Sequence, residues 1–161
     1  MKKYCAFIAA VLFLLTVGTG IMSCENKEDC DCGCGGACGR NCQCVDYADL
    51  FALQSEAQQN LNAIFTTEVA YFGEDNTFAN LFSDLAWSPE GLTRYAYFLP
   101  GDSIQATLTG PYHLPSGLDP AVSQYSFTIL AVGNIDCDPT LDVWAINDHK
   151  RAMNWINDIY E

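Results

Sequence analysis

Positive charge is what this 161-residue sequence has least of: seven Lys and Arg stand against twenty Asp and Glu, a net charge of −13. Lys2 and Lys3 open the chain, and the other five, Lys27, Arg40, Arg94, Lys150 and Arg151, form no stripe. Binding a polyanion needs clustered cations that displace its counterions, so nucleic acid is excluded as a partner. Cations or basic surfaces suit the chain better. Histidine is scarcer still, with His113 in a proline-rich loop and His149 near the end. Both read as surface residues, because neither belongs to His-Glu-x-x-His and no Gly-x-Ser-x-Gly or Cys-His signature accompanies them. A carboxylate pair of the glycosidase kind could be drawn from twenty acids, but no spacing selects one. The sequence therefore reads as non-enzymatic.

What the chain does have begins at its N-terminus. Met1-Lys2-Lys3 is followed by Tyr4 to Met22, 19 residues without a charge. This is the layout of a secretory signal peptide. Ile21-Met22-Ser23-Cys24 resembles a bacterial lipobox, in which an aliphatic residue and then a small one precede a cysteine that is acylated and becomes the first residue. The alternative is an uncleaved anchor, since about 20 apolar residues span a bilayer. Acyl chains on Cys24 would hold the protein firmly, at about 0.8 kcal/mol per buried methylene. Glu25 stands where an inner-membrane retention signal has Asp, so the expected location is the cell envelope, at the outer membrane. Removing residues 1–23 leaves five basic against twenty acidic residues, a balance of −15.

Residues 24–45 read as a tether. Cys30, Cys32, Cys34, Cys38, Cys42 and Cys44 fall within fifteen residues that include four Gly and no large apolar side chain. Only cross-links or metal could order such a stretch against its chain entropy. Three readings stay open: intrachain disulfides, favoured by an oxidising compartment; a thiolate site for Zn or Cu(I); and bridges between copies. Six cysteines allow 15 disulfide pairings. Haem is excluded, because Cys-x-x-Cys-His does not occur. Cys137 stands apart, as a buried free thiol or a partner of the tether.

Residues 46–161 read as one α+β domain. Asp46 to Phe72 carries apolar residues at three- and four-residue steps, which predicts a long amphipathic helix with Asp46 as N-cap and Gly73 as its stop. Thr93 to Leu99 and Ser103 to Leu108 read as a hairpin around Pro100-Gly101-Asp102. Ser123 to Val132 and Leu141 to Ile146 read as further strands, giving an antiparallel meander of about four strands packed on the helix. His149 to Glu161 has near-helical apolar spacing suited to capping the sheet.

Gln54-Ser55-Glu56-Ala57-Gln58-Gln59-Asn60-Leu61, Ala63-Ile64-Phe65-Thr66, Trp87-Ser88-Pro89-Glu90-Gly91, Arg94-Tyr95-Ala96-Tyr97-Phe98 and Leu141 to Asp148, in that order, resemble the head domain of bacterial type IV pilins over roughly residues 50–150. The resemblance implies the same helix-then-sheet architecture and a structural role among envelope or pilus-type proteins. It departs from that family at the N-terminus, where pilins carry a Gly, a Glu five residues later and then the apolar assembly helix. Here Gly20 and Glu25 follow the apolar stretch instead.

One further pattern bears on metal. Asn134, Asp136, Asp138 and Asp142 place oxygens as at the start of a calcium loop, but Pro139 occupies the place of the turn glycine and Ala145 that of the bidentate Glu. An acidic turn is the competing reading. Trp87, Trp144 and the clustered tyrosines read as core.

Overall fold

The computed structural model describes residues 47–136 and 139–159. The domain opens with a 29-residue helix, α1 (Tyr47–Asp75). Six strands follow among the described residues: β1 (Ala96–Phe98), β2 (Ser103–Ile104), β3 (Ala121–Val122), β4 (Phe127–Gly133), β5 (Asp142–Asn147) and β6 (Met153–Ile156). They form one antiparallel sheet in the order β2-β1-β4-β5-β6, with β3 pairing to β4. The helix-first α+β arrangement expected from the sequence is the one adopted.

Helix α1 buries a single line of residues: Leu50, Gln54, Ala57, Leu61, Ile64 and Glu68, alternating steps of four and three. Phe51 and Val69 lie off that line, and each is about half exposed (48% and 49%), although the apolar pattern includes them. The helix also runs past Gly73. A Cβ at that position would meet nothing within 4 Å, so this glycine weakens the helix without ending it. The stop is Asn76, in the left-handed region at φ 54° with its N–H donated to the Phe72 carbonyl at 3.0 Å. Asn tolerates that conformation through its short polar side chain.

The sheet is buried on both sides, which explains the near-continuous apolar runs of β4 and β5. Tyr95, Tyr97, Ile129, Ala131, Trp144 and Ile146 face α1, where they join Leu61 and Ile64 in one core. Ala96, Phe98, Leu130, Val132, Val143 and Ala145 form the opposite face, against Tyr112, Leu114 and Leu118. Those three come from the 105–120 connection between β2 and β3. It is pinned by the Tyr112 N–H on Gln105 Oε1 (2.9 Å) and by the Asn134 N–H on the Tyr112 hydroxyl (3.2 Å). This long connection also breaks the expected meander, since β4 pairs with β1 and not with β2, which is left at the sheet edge.

Two further expectations change at the strand ends. The residues from Ser123 to Ser126 form the turn between β3 and β4, closed by the Ser123 N–H on the Ser126 carbonyl at 2.8 Å, and Tyr125 at its tip is 72% exposed. The segment after His149 is an edge strand and not a helix: Met153 pairs with Ala145, Asn154 with Trp144 and Ile156 with Val143, across a bulge. Cross-strand pairing with β5 outweighs the local spacing. No helix among the described residues is long and apolar enough to cross a membrane.

Candidate interaction site

Two polar constructions stand out, one inside the domain and one on its surface. The inner one centres on Asp142, the first residue of β5, which is fully buried. Its Oδ2 accepts from the Tyr95 hydroxyl (2.6 Å) and Trp144 Nε1 (2.7 Å). Its Oδ1 accepts from Asn154 Nδ2 (2.8 Å), Gln54 Nε2 (3.0 Å) and the Asp158 N–H (3.3 Å). Five donors, from α1, the residue before β1, β5, β6 and the segment after β6, thus meet on one carboxylate. Burial and the adjacent Asp142 push the Tyr95 hydroxyl far above its ordinary pKa, so it remains a donor.

This arrangement bears on one residue of the calcium pattern: Asp142 points into the core, where its oxygens accept from protein donors. Asn134 is half-buried and its side-chain amide donates to the Thr140 carbonyl at 3.2 Å; Asp136 is also half-buried, and Asp138 lies outside the described residues, as does Cys137. Among the described residues no group of three His, Cys, Asp or Glu could hold a metal. Cys24 and the six cysteines from Cys30 to Cys44 lie outside the described residues as well. His113 and His149 are exposed, as the sequence suggested.

The outer construction is an open groove of about 520 Å³ between α1 and the 87–90 loop, lined among others by Glu56, Asn60, Ala63, Trp87, Ser88 and Glu90. Glu56 anchors it. Its carboxylate accepts the N–H groups of Arg94 (3.0 Å) and Tyr95 (3.2 Å) just before β1, so the helix and the start of that strand are locked together there. Asn60 donates to the Tyr97 hydroxyl at 2.7 Å on the same wall. Burial raises the Tyr97 pKa well above the ordinary range, so it too stays protonated. Trp87 stands edge-on to the Tyr97 ring (5.4 Å, 78°) and tilted on Phe82 (5.5 Å, 40°), half-buried with one part facing the groove. The loop behind it is fixed by the Phe82 N–H, which both Asp102 carboxylate oxygens accept at 3.2 Å. Two carboxylates and an indole on a rigid wall form a surface for a cationic side chain.

Sequence reading placed Trp87 in the core and passed over Gln54, Glu68 and Asp158 as buried polar groups. Gln54 and Glu68 were detectable in principle, because both fall on the apolar line of α1. Asp158 offers no such signal; it is buried, and its Oδ2 accepts the Ile135 N–H at 3.0 Å.

No family model matches the chain. A curated protein does resemble it: the type IV major pilin protein PilA of Myxococcus xanthus (strain DK1622) is 31% identical over 90 residues, 54% of this chain and 40% of that protein. The chain thus spans about two fifths of that relative's length, and over that span it is similar to a pilin.

Proposed function

We propose that this chain is a pilin-like structural and interaction protein of the bacterial cell envelope, held to the membrane by lipid on Cys24 and accessory to a type IV pilus or a secretion assembly. The observation that carries the reading is the likeness to a major pilin in a chain whose domain is a long helix laid on an antiparallel sheet. A role in contact fits the surface groove, which offers two carboxylates and an indole as recognition groups. In this reading the cysteine-rich stretch from Cys30 to Cys44 is a cross-linked stalk, and the acylated cysteine takes the place of the assembly helix as anchor.

Two measurements test it. Intact mass spectrometry of detergent-extracted protein, with and without reduction and alkylation, is expected to show loss of residues 1–23, acyl chains on Cys24 and oxidised stalk cysteines. A mass that still includes residues 1–23 overturns the lipid anchor, and reduced thiols retaining zinc or copper turn the function toward a metal-binding or thiol-redox lipoprotein. Affinity-tagged protein is expected to co-purify with pilus or secretion components from cross-linked cells. Recovery without any of them overturns the assembly role.

A further inference from the structure

Positive charge is scarce in the domain, yet most of it gathers at one end. Among the described residues the only Lys and Arg are Arg94, Lys150 and Arg151, and the last two adjoin His149 in the β5–β6 turn. Beside that turn lies an open hollow of about 300 Å³. Arg151, His149 and Asn147 line it on one side, and Ser123, Ser126 and Thr128 of the β3–β4 hairpin on the other. Sheet register brings the two sides together, since Thr128 pairs with Asn147 of β5 and with Ala121 of β3.

Each side is held by its own hydrogen bonds. The Asn147 side-chain oxygen accepts the His149 N–H (3.1 Å) and the Arg151 N–H (3.3 Å), and its carbonyl accepts the Lys150 N–H at 2.9 Å. Opposite, Ser123 Oγ lies 2.8 Å from Ser126 Oγ and accepts the Ser126 N–H at 3.1 Å. Donors are left over within this frame. With its oxygen engaged, Asn147 keeps its Nδ2 protons without a partner among the described residues, and the exposed Arg151 guanidinium forms no salt bridge among them. Asp148, the one acid lining the hollow, is already paired with His149 Nδ1 at 2.7 Å. Lys150 turns elsewhere: its ammonium lies over the Phe65 ring, 5.7 Å from the centroid. The hollow thus offers one guanidinium and several uncharged donors, in a chain whose net charge is −13.

Those donors select the ligand. A single guanidinium matches a carboxylate in a bidentate pair. A phosphate dianion would bring a second negative charge with no second unengaged cation to meet it. Serine and threonine hydroxyls both donate and accept, so they suit hydroxyl groups on the same molecule. A volume of about 300 Å³ is at the small end of ligand sites, room for one sugar-sized ring. We infer that this hollow binds a hydroxylated carboxylate of that size, a sugar acid that is free or one unit of a glycan. Arg151 holds the carboxylate, and Asn147 with the two serines takes the hydroxyls. The site lies at the end of the domain away from the chain's entry: β5 begins at Asp142, bonded to Gln54 near the start of α1, and runs to Asn147, beside the turn that reaches Phe65. With the anchor proposed at Cys24, the hollow faces away from the membrane. That direction rests on the proposed anchor, and the binding does not.

The test is an NMR titration of the full chain in detergent, following the amide signals of Asn147, His149 and Arg151 as D-glucuronate is added. Saturable shifts of those signals are expected, with D-glucose, acetate and inorganic phosphate each binding about tenfold or more weakly. Arg151→Gln is expected to weaken glucuronate binding about tenfold or more, and Arg151→Lys about fivefold, because lysine keeps the charge and loses the fork. Lys150→Gln removes the same charge one residue away and is expected to leave the affinity within about twofold. Positions 150 and 151 are exposed, and unchanged thermal melts are the control for folding. Three results overturn the inference: no saturable shift with glucuronate, an equal affinity for glucose, acetate or phosphate, or a loss in Lys150→Gln as large as in Arg151→Gln. Given binding, a glucuronate-bearing oligosaccharide that binds more tightly than the monosaccharide assigns the site to a glycan, and equal affinity assigns it to the free acid. None of these readouts involves acylation or co-purification with a pilus, so failure here and failure of the assembly role are separable.

Discussion

Tyr95 and Asp142, 47 residues apart in sequence, meet in the core at 2.6 Å, and the tyrosine ring that makes this contact fills the space beside Gly133 where a side chain would stand. Gly133 pairs directly with Asp142 across β4 and β5. A Cβ on Gly133 would stand 2.8 Å from Tyr95 Cδ1, closer than real carbon atoms approach. Glycine, tyrosine and aspartate thus form one unit: the absence of a side chain on β4 admits the ring that carries the hydroxyl to the carboxylate.

The first prediction follows from this unit. Gly133→Ala is expected to destabilise the domain by about 1–3 kcal/mol, the usual cost of overpacking. In a Tyr95→Leu background, where no ring presses on the backbone, the same change is expected to cost much less. Urea unfolding of the four proteins of this double-mutant cycle reads the coupling. Additive costs would show that the ring and the glycine do not act together.

The second prediction concerns the carboxylate. Asp142→Ala leaves the buried donors of Tyr95, Trp144, Asn154 and Gln54 without their acceptor, and a loss on the order of 3 kcal/mol or more is expected. Tyr95→Phe removes one donor from a carboxylate that keeps four others, so its cost is expected near about 1.5 kcal/mol. Equal effects in thermal unfolding would contradict the picture of Asp142 as the shared acceptor. Added calcium is expected to leave the melting temperature of the wild-type domain unchanged through Asp142, since that residue's oxygens face inward.

The third prediction separates two readings of the end of α1. Gly73→Ala is expected to stabilise the protein by about 0.5–1 kcal/mol, because the position is helical and open to solvent. Asn76→Val is expected to destabilise it by about 1 kcal/mol or more, because a β-branched residue resists the left-handed conformation there. Were Gly73 the true stop, the signs of the two effects would be reversed in thermal melts.

These residues also mark what was legible in the sequence. The helix, its direction and the strand-rich second half follow from apolar spacing, because that spacing reports which side of an element is dry. The choice between Gly73 and Asn76 does not, since both tolerate the required backbone and the decision lies in where the buried line of α1 ends. The edge strand Met153–Ile156 was hidden for a related reason: a four-residue strand has too few alternations to compete with an accidental helical spacing. Asp142 was visible as an acid in an acidic run, yet its inward direction depends on Tyr95 and Gln54, 47 and 88 residues away. Glu56, Trp87 and Glu90 fall within the pilin-like motifs, but only the packing of the loop on α1 joins them into one groove.

Glu68 supplies the last prediction, through pH. It is the one carboxylate on the buried line of α1, with no exposed surface; Oε2 accepts the Ala79 N–H at 2.9 Å and Oε1 has no hydrogen-bond partner among the described residues. Desolvation raises its pKa from 4.5 to about 7, against the smaller opposing effect of the Ala79 hydrogen bond. The sign follows from which state holds the proton. Below about pH 4.5 the group is neutral in both folded and unfolded chains and imposes no penalty. Between about pH 4.5 and 7 the unfolded chain ionises while the folded one keeps its proton, so stability falls as pH rises. Above about pH 7 both forms are ionised and the folded state carries the whole cost, about 3 kcal/mol. Glu68→Gln keeps a carbonyl oxygen for the Ala79 N–H and cannot ionise. Urea midpoints measured from pH 5 to 8 are therefore expected to decline in the wild type relative to the variant, with the difference growing toward pH 8; parallel curves would mean that Glu68 does not titrate with folding. Because the Ala79 contact ties the helix to the start of the loop that carries Trp87, amide exchange at Ala79 is expected to quicken over the same pH range in the wild type, beyond the intrinsic rise with pH, and to show no such excess in Glu68→Gln.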